Sequence, residues 1–179
     1  ERRDPLLAKQ YALEQLSLSR QIAYVIGIGY ALDNIGSAYQ NLGLNDTAQL
    51  YYRKAAHQFD SIGHISGSLT ANKSIAVTDL AMGQTDSAMM RINAIIETKI
   101  EQGDTVSLAD EYNFRAGVYK QKGQIDSAVA DVLQAIRIFE SQGDEVGKAK
   151  ALIVLGALEN FNGNGQKSLE HRLEALAVF

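Results

Sequence analysis

Apolar residues recur along this chain with the spacing of amphipathic helices, and each helical stretch stops at a glycine. The stretch 31–43 and the stretch 46–56 predict two such helices joined at Gly43. Glycine ends a helix well because it adopts the left-handed conformation without a Cβ clash. Glycines recur every twenty residues, at 43, 63, 83, 103, 123, 143 and 163. This spacing predicts helices of one length that stack in pairs with a period of forty residues, which is typical of a helical repeat array.

The period divides the chain into one half repeat and four repeats. Residues 6–23 predict a second helix without its first-helix partner, and Ala23 stands where the period expects a glycine. The repeats that follow are 27–63, 68–103, 107–143 and 147–179. The sequence therefore predicts an all-α solenoid of antiparallel helix pairs, with about nine helices in a single domain over 1–179.

An acidic residue recurs at the start of the second helices. Asp46, Asp86 and Asp126 share one offset and are each followed by a hydroxyl residue and an alanine. The free amides of the first turn and the helix dipole stabilise a carboxylate at this position. Either Asn45 or Asp46 is expected to cap its helix. Gln166 replaces the acid in the last repeat, so that helix is expected to begin less firmly.

Small and bulky residues alternate between the two helices of each repeat, which predicts close interdigitation of the pair. Residues at the same position in successive repeats form a column, and one column of small residues contains Gly36, Ala76, Ala116 and Gly156. A second small column on the partner helix is formed by Ala48, Ala88, Ala128 and Ser168, and a bulky column four residues later by Tyr52, Ile92 and Val132. An aromatic column of Tyr39 and Tyr119 is interrupted by Asp79 and Glu159. Asn72 lies in another core column, where it marks either a weak point or a buried hydrogen bond.

These columns resemble the tetratricopeptide repeat motif. The match is Gly36-x-x-Tyr39-x-x-x-Gly43 followed by Ala48-x-x-x-Tyr52-x-x-Ala55, and it recurs in the third repeat with Ala116, Tyr119, Gly123, Ala128 and Ala135. The period of forty is longer than the roughly 34 residues typical of the family. This variant is similar to modules of kinesin light chain, of peptide-responsive bacterial regulators and of bacterial sensor proteins. The Ala-Leu-Asp-Asn-Ile-Gly segment and the Asp-Ser-Ala helix starts are most similar to the sensors.

The resemblance implies a right-handed superhelix that binds a protein or an extended peptide in a concave groove lined by the first helices. It further implies a sensory or regulatory segment of a bacterial signal-transduction protein, with an extracytoplasmic, periplasmic location favoured over a cytoplasmic one. The groove residues would be Tyr30, Asp33, Asn34, Ser37 and Asn41 in the first repeat, Thr70, Lys73 and Val77 in the second, Asp110, Asn113, Phe114 and Lys120 in the third, and Lys150 and Asn160 in the fourth.

Asn34 and Asn113 are the groove residues that suggest recognition chemistry. A side-chain amide both donates and accepts hydrogen bonds, so it can pair with an extended backbone of any sequence. Asparagine is also a poor helix former, although both residues could simply be solvated polar positions. The family's cationic set for a partner's terminal carboxylate is not reproduced, because Asp33 and Ile153 occupy places where cations would be needed.

Composition narrows the function classes. A net charge of −4 with scattered Lys and Arg argues against nucleic acids and anionic membranes as partners. No apolar run approaches membrane-spanning length, and residues 1–5 do not resemble a signal peptide. The three histidines, His57, His64 and His171, are isolated and expected at the surface, and the chain has no cysteine. No catalytic set, metal site or cofactor is therefore expected, and we predict a protein that is not an enzyme.

Two alternatives remain open: a scaffold that assembles a complex without a groove ligand, and an enzyme that uses the solenoid as a substrate cradle. The chain is also expected to be an excerpt of a longer array. Leu176, Val178 and Phe179 would then be partly exposed, and the terminal helices would pair with each other or with a second copy.

Overall fold

A computed structural model describes residues 4–178, and over this range the chain forms nine α-helices and no strand. The helices are α1 Pro5–Gln21, α2 Val25–Asn41, α3 Asn45–Asp60, α4 Ile65–Ala81, α5 Thr85–Glu101, α6 Leu108–Gln121, α7 Ile125–Gln142, α8 Glu145–Phe161 and α9 Gly165–Leu176. The predicted all-α helical repeat is confirmed. Phe179, expected to be partly exposed, lies outside the described residues. Among the described residues, no helix combines the length and the apolar character needed to cross a membrane.

The chain divides into two compact units, Glu1–Arg91 and Ile92–Phe179, with the boundary inside α5. In unit 1, α2 packs against α1 and α3, α3 packs against α4, and α2 also contacts α4. In unit 2, α7 packs against α6 and α8, α8 packs against α9, and α6 also contacts α8. Within each unit, neighbouring first helices therefore lie side by side.

The periodic glycines end the helices as predicted. All seven have a positive φ, between 65° and 78°. The amide of the next residue folds back onto the preceding helix: Leu44 N donates to the Tyr39 carbonyl at 3.0 Å, and Gln124 N donates to the Tyr119 carbonyl at 2.9 Å. These bonds satisfy carbonyl groups that a helix end leaves without a partner. Ala23, at the position where the period expects a glycine, also has a positive φ, 53°.

The predicted cap of α3 is wrong. The helix begins at Asn45, its N-cap is Leu44, and no side chain forms a cap hydrogen bond there. Because the bond from Leu44 to the preceding helix closes the turn directly after Gly43, Asn45 already lies in the first helical turn. The acidic first turns are confirmed, with Asp46 in α3 and the equivalent acids in α5 and α7, and α9 has none.

Small residues pack against bulky ones, as the columns predict. A Cβ atom added at Gly36 would lie 2.7 Å from the ring of Tyr52, so only glycine permits this approach of α2 to α3. Tyr52 is 2% exposed, and its hydroxyl donates to Gln40 Oε1 at 2.8 Å. In unit 2, Ala116, Ala128 and Val132 belong to one buried hydrophobic cluster.

The polar residue that interrupts the aromatic column in unit 1 is held by an ion pair between helices. Asp79, 1% exposed, accepts from Arg91 Nε at 3.1 Å. Arg91 Nη1 also donates to Asn72 Oδ1 at 3.2 Å, and Asn72 Nδ2 donates to the Ser68 carbonyl at 3.0 Å. Asn72 is half-buried, so of its two interpretations the structure shows the hydrogen bonds but not their full burial, and the ion pair was not predicted.

A comparable ion pair connects α6 and α7 in unit 2. Arg115 donates to both carboxylate oxygens of Asp131, from Nε at 2.7 Å and from Nη2 at 2.8 Å, and Arg115 Nη1 donates to Asn93 Oδ1 at 3.0 Å. These hydrogen bonds with Asp131 raise the pKa of Arg115. This bidentate contact fixes the orientation of the two helices as well as their separation.

Candidate functional site

The predicted groove residues all lie on the first helices of the pairs, α2, α4, α6 and α8. Most of their side chains are exposed or half-buried, as a binding surface requires. The structure brings some of them together in unit 2, whereas their counterparts in unit 1 contact residues of the protein itself.

Three predicted residues meet at a cavity of about 230 Å³ in unit 2. Asp110 and Asn113 come from α6, and Lys150 comes from α8. The rest of the lining was not predicted and consists of Phe139, Asp144, Val146 and Gly147. Phe114, Lys120 and Asn160 do not line this cavity, and Lys120 Nζ lies 5.9 Å from the ring centroid of Phe161.

Asn113 contributes a polar atom that lacks a partner. Its Oδ1 is buried, and no described residue donates a hydrogen bond to it. Buried polar atoms are almost always paired in folded proteins, since an unpaired acceptor loses its hydration without compensation. Asn113 therefore brings to the lining of this cavity a buried acceptor that no described residue satisfies.

The start of α8 forms another wall of the cavity. Asp144 caps the helix, with Oδ1 accepting from the Gly147 amide at 2.8 Å. A Cβ atom at Gly147 would lie 2.5 Å from both the Phe139 ring and the Asp144 carboxylate. Because Gly147 has no side chain, the Phe139 ring lies directly against the helix and gives the cavity an apolar side.

Unit 1 fills the equivalent space with an aromatic ring. The residues eighty positions before Asp110, Phe139, Asp144 and Gly147 are Tyr30, Phe59, His64 and Gly67. The ring centroid of Tyr30 lies 5.0 Å from that of Phe59 and 6.0 Å from that of His64. Tyrosine thus occupies in unit 1 the volume that the shorter Asp110 leaves open in unit 2.

His64 has a structural role that sequence analysis missed. Its Nδ1 accepts from the Gly67 amide at 2.9 Å and caps α4, in the same way that Asp144 caps α8. The position of His64 one residue after Gly63 matches that of Asp144 after Gly143, and this repeat register was the available clue.

The other groove residues of α2 make internal contacts. Asn34 Nδ2 donates to Gln15 Oε1 of α1 at 3.0 Å. Asp33, at the register of Asn113, also has a buried Oδ1 without a hydrogen-bond partner among the described residues. Burial raises the pKa of Asp33, and a hydrogen bond with Ser74 of α4 offsets part of the rise.

The pKa of Tyr52 is shifted in the same part of unit 1. Burial raises its pKa to about 12, the charge of Asp33 adds to the rise, and a hydrogen bond with Ser37 lowers it. Half-buried Asp33 and exposed Ser37 therefore both act on the buried hydroxyl of Tyr52. Among the described residues, no group of three His, Cys, Asp or Glu side chains is arranged to hold a metal ion.

One protein-family model matches part of the chain. The family model described as Tetratricopeptide repeat matches residues 30–56 and 111–142. The first match contains α3 up to Ala56 and most of α2, and the second contains most of α6 and all of α7. No curated protein matches the chain in sequence.

Solved structures show the same fold. BtubC (BKLC) from P. vanneervenii is similar over 98% of this chain and 74% of its own, with a TM-score of 0.84 and 18% identity. A putative kinesin light chain of Podosopora anserina, with nearly identical TPR-like repeats, gives a TM-score of 0.70 and 18% identity over 98% and 92% of the two chains. The apo form of RapI gives 0.76 and 15% identity, over 95% of this chain and 46% of RapI.

Proposed function

We propose that this chain, in which two segments match the tetratricopeptide repeat, binds an extended segment of a partner protein through its first helices and catalyses no reaction. Repeat solenoids of this kind present extended surfaces for binding. The observation that carries the proposal is the cavity in unit 2, where three predicted groove residues meet beside the unpaired acceptor of Asn113.

The cavity favours a particular kind of contact. The amide of Asn113 can donate to and accept from a peptide group, which suits an extended backbone whatever its sequence. Phe139 and Val146 offer apolar surface for the stem of a side chain, while Asp110 and Asp144 offer acceptors for a donor at its end. We therefore propose that one side chain of the bound segment enters this cavity and that its backbone lies against Asn113.

Selection of peptides from a random library on the purified chain tests the proposal, with fluorescence anisotropy to measure the Kd of the peptides obtained. Asn113→Ala is expected to weaken binding about fivefold to tenfold, the effect of one lost hydrogen bond. Asp110→Tyr should weaken binding more, since it introduces the ring that fills this space in unit 1. Asn34→Ala is the matched control with a smaller expected effect, because Asn34 already contacts Gln15.

Circular dichroism should show unchanged helicity for all three variants. Unchanged affinity of both Asn113→Ala and Asp110→Tyr would contradict a role for the cavity. Failure to select any peptide would contradict binding of extended segments and would favour a scaffold without a groove ligand.

We further propose that the chain is a sensory or regulatory segment of a bacterial signal-transduction protein, located outside the cytoplasm. The support is the resemblance of its helix starts and of the Ala31–Gly36 segment to bacterial sensors. The discriminating observation is the domain composition of the polypeptide that contains this segment. A membrane span together with a kinase or DNA-binding domain would support the sensor, and their absence would favour an adaptor.

A further inference from the structure

Besides the cavity in unit 2, the protein has a pocket of about 530 Å³ in unit 1 that belongs to no predicted site. It is lined by residues of α1, α2 and α3, whereas the groove residues of unit 1 lie on α2 and α4. Ile28, Leu32 and Leu50 form an apolar part of the lining. Arg20, Arg53, Lys54 and His57 form a basic part, and no acidic residue lines the pocket.

The cations of this pocket have no acidic partner within the described residues. Arg53 Nη2 donates to Gln49 Oε1 at 3.0 Å, and Lys54 Nζ lies 5.1 Å from the ring centroid of Tyr51, so both contacts are with neutral groups. Arg20 and His57 lie in the last turns of their helices, where the dipole favours a cation. The dipole does not account for Arg53 and Lys54, which lie further from the end of α3.

At the equivalent repeat positions in unit 2, acidic residues replace two of these cations. The residues 120 positions after Arg20 and Lys54 are Glu140 and Glu174. Lys148 lies between these two acids, with Nζ 2.9 Å from Glu140 Oε1 and 3.4 Å from Glu174 Oε1. Unit 2 therefore supplies its own counter-ion at this place.

Unit 1 has no such counter-ion, because the residue equivalent to Lys148 is Ile28. The cations of the pocket consequently surround an apolar side chain instead of a carboxylate. A chain with a net charge of −4 has thus placed several cations around one pocket that contains no acid. Like charges held close together repel one another, and an acidic ligand would relieve that repulsion.

We propose that this pocket binds an acidic segment of a partner protein with a leucine or similar apolar side chain between its carboxylates. The carboxylates would pair with Arg20, Arg53 and Lys54, and arginine can hold a carboxylate through two parallel hydrogen bonds. The apolar side chain would cover Leu50, which is 51% exposed, and Ile28. This site is independent of the groove, so it stands whether or not peptides bind there.

Calorimetric titration of the full chain with two synthetic peptides of about twelve residues tests the proposal. One peptide contains only glutamate, and the other carries a leucine at every fourth position. We expect the leucine-bearing peptide to bind about tenfold more tightly, because each buried apolar side chain adds favourable transfer free energy. Its affinity should fall as salt rises, as expected for exposed charge pairs.

Variants locate the site. Arg20→Glu combined with Lys54→Glu should weaken the leucine-bearing peptide at least about tenfold, since both charges are reversed. Arg137→Glu is the matched control, because Arg137 is an exposed cation eighty residues after His57 in the same register, and it should change nothing. Leu50→Ser should weaken the leucine-bearing peptide and leave the all-glutamate peptide unaffected.

Three results would overturn the proposal: no measurable binding of the leucine-bearing peptide, equal affinity for both peptides, or an equal loss of affinity in Arg137→Glu. Displacement of the peptide by inorganic phosphate at similar concentration would also overturn it, since it would indicate a simple anion site. Arg20→Gln combined with Lys54→Gln serves as a milder variant, and thermal melting identifies any loss of fold. Asn113→Ala should leave this binding unchanged, which separates the site from the groove.

Discussion

Ala23 ends α1 in the left-handed conformation that glycine adopts at the seven later helix ends. A residue with a Cβ atom is strained in this conformation, which destabilises the folded state by roughly 1–2 kcal/mol. Glycine removes that strain, but its unfolded chain is more flexible, and this offsets part of the gain. Ala23→Gly is therefore expected to raise the free energy of unfolding by about 0.5–1 kcal/mol. Urea denaturation followed by circular dichroism measures the difference.

The matched control for this prediction is Gly123→Ala. Gly123 has a φ of 74°, and a Cβ atom added there would contact nothing within 4 Å, so only the backbone conformation is tested. It should lower the free energy of unfolding by a similar amount. A decrease for Ala23→Gly would mean that the methyl group of Ala23 makes a contact worth more than its backbone strain.

Asp33 provides a prediction about pH. Burial raises its pKa above the ordinary value of 3.8. The folded state therefore binds this proton more tightly than the unfolded chain, and stability falls as the pH rises from 3.8 through the folded-state pKa. Asp33→Asn should raise the free energy of unfolding at about pH 7 and change it little at about pH 3, where the carboxyl is protonated in both states.

Denaturation of wild type and Asp33→Asn at both pH values checks this expectation. Asp46→Asn is the control, because Asp46 is an exposed acid in the first turn of α3 and its loss should slightly destabilise the helix at neutral pH. A loss of stability for Asp33→Asn at neutral pH would show that the ionised carboxylate makes a contact that an amide cannot replace.

At the scale of helices, the packing of α6 on α7 depends on one small residue. Ala116 is 1% exposed within a cluster that includes Ala128 and Val132. Ala116→Leu adds three carbon atoms to a filled interface and should lower the free energy of unfolding by about 1–3 kcal/mol. Thermal or urea unfolding measures the loss, and a wild-type stability would contradict the assigned repeat register.

The next residue along α6 is the control for that prediction. A Cβ atom at Gly117 would meet nothing within 4 Å, and Gly117 has an ordinary helical backbone. Gly117→Ala should therefore raise the free energy of unfolding by about 0.5–1 kcal/mol, the usual penalty of glycine inside a helix. If the free energy of unfolding falls for Ala116→Leu and rises for Gly117→Ala, the effect of core packing is separated from that of helix propensity.

For the whole molecule, exposed leucines on α1 and α9 support the expected self-association. Leu7 and Leu13 are each 45% exposed, Leu173 is 59% exposed and Leu176 is 70% exposed. Leu173 and Leu176 are three residues apart and share one face of α9, and an exposed apolar helix face favours association in water. We predict a concentration-dependent mass above the 19.5 kDa of one chain, measured by light scattering. Leu173→Lys combined with Leu176→Lys should reduce that mass.

Leu133→Lys is the control for the association experiment, because Leu133 is a 41% exposed leucine on α7. It should leave the measured mass unchanged. A chain that remains at 19.5 kDa at every concentration would contradict self-association through these helices.

The helix ends and the column pattern were predictable because they depend on local chemistry and on period. A glycine every twenty residues marks each left-handed helix end, and small residues at one register mark the contact between paired helices. The opposition of Gly36 and Tyr52 followed from the columns alone. The cap of α3 was wrong because the closing bond of Leu44 shifts the helix start, and no residue type reveals that shift.

The candidate site was predictable only in part. The repeat register placed Asp110, Asn113 and Lys150 on first helices, but their convergence on one cavity depends on the distance between α6 and α8. The other lining residues come from the end of α7 and the start of α8, which no groove motif includes. At the equivalent place in unit 1, the ring of Tyr30 packs against Phe59 and His64, a contact that depends on the positions of three different segments.

The amino-acid sequence by itself determined the repeat, the lengths of its helices and the residues where they end, because backbone conformation and amphipathic period act within a single helix. Tertiary structure decided which charges are paired. Arg115 reaches Asp131 and Lys148 reaches two glutamates, whereas Arg20 and Lys54 find no acid in the same register. Pairing depends on side chains from different helices meeting within about 3 Å, a distance that repeat spacing alone does not specify.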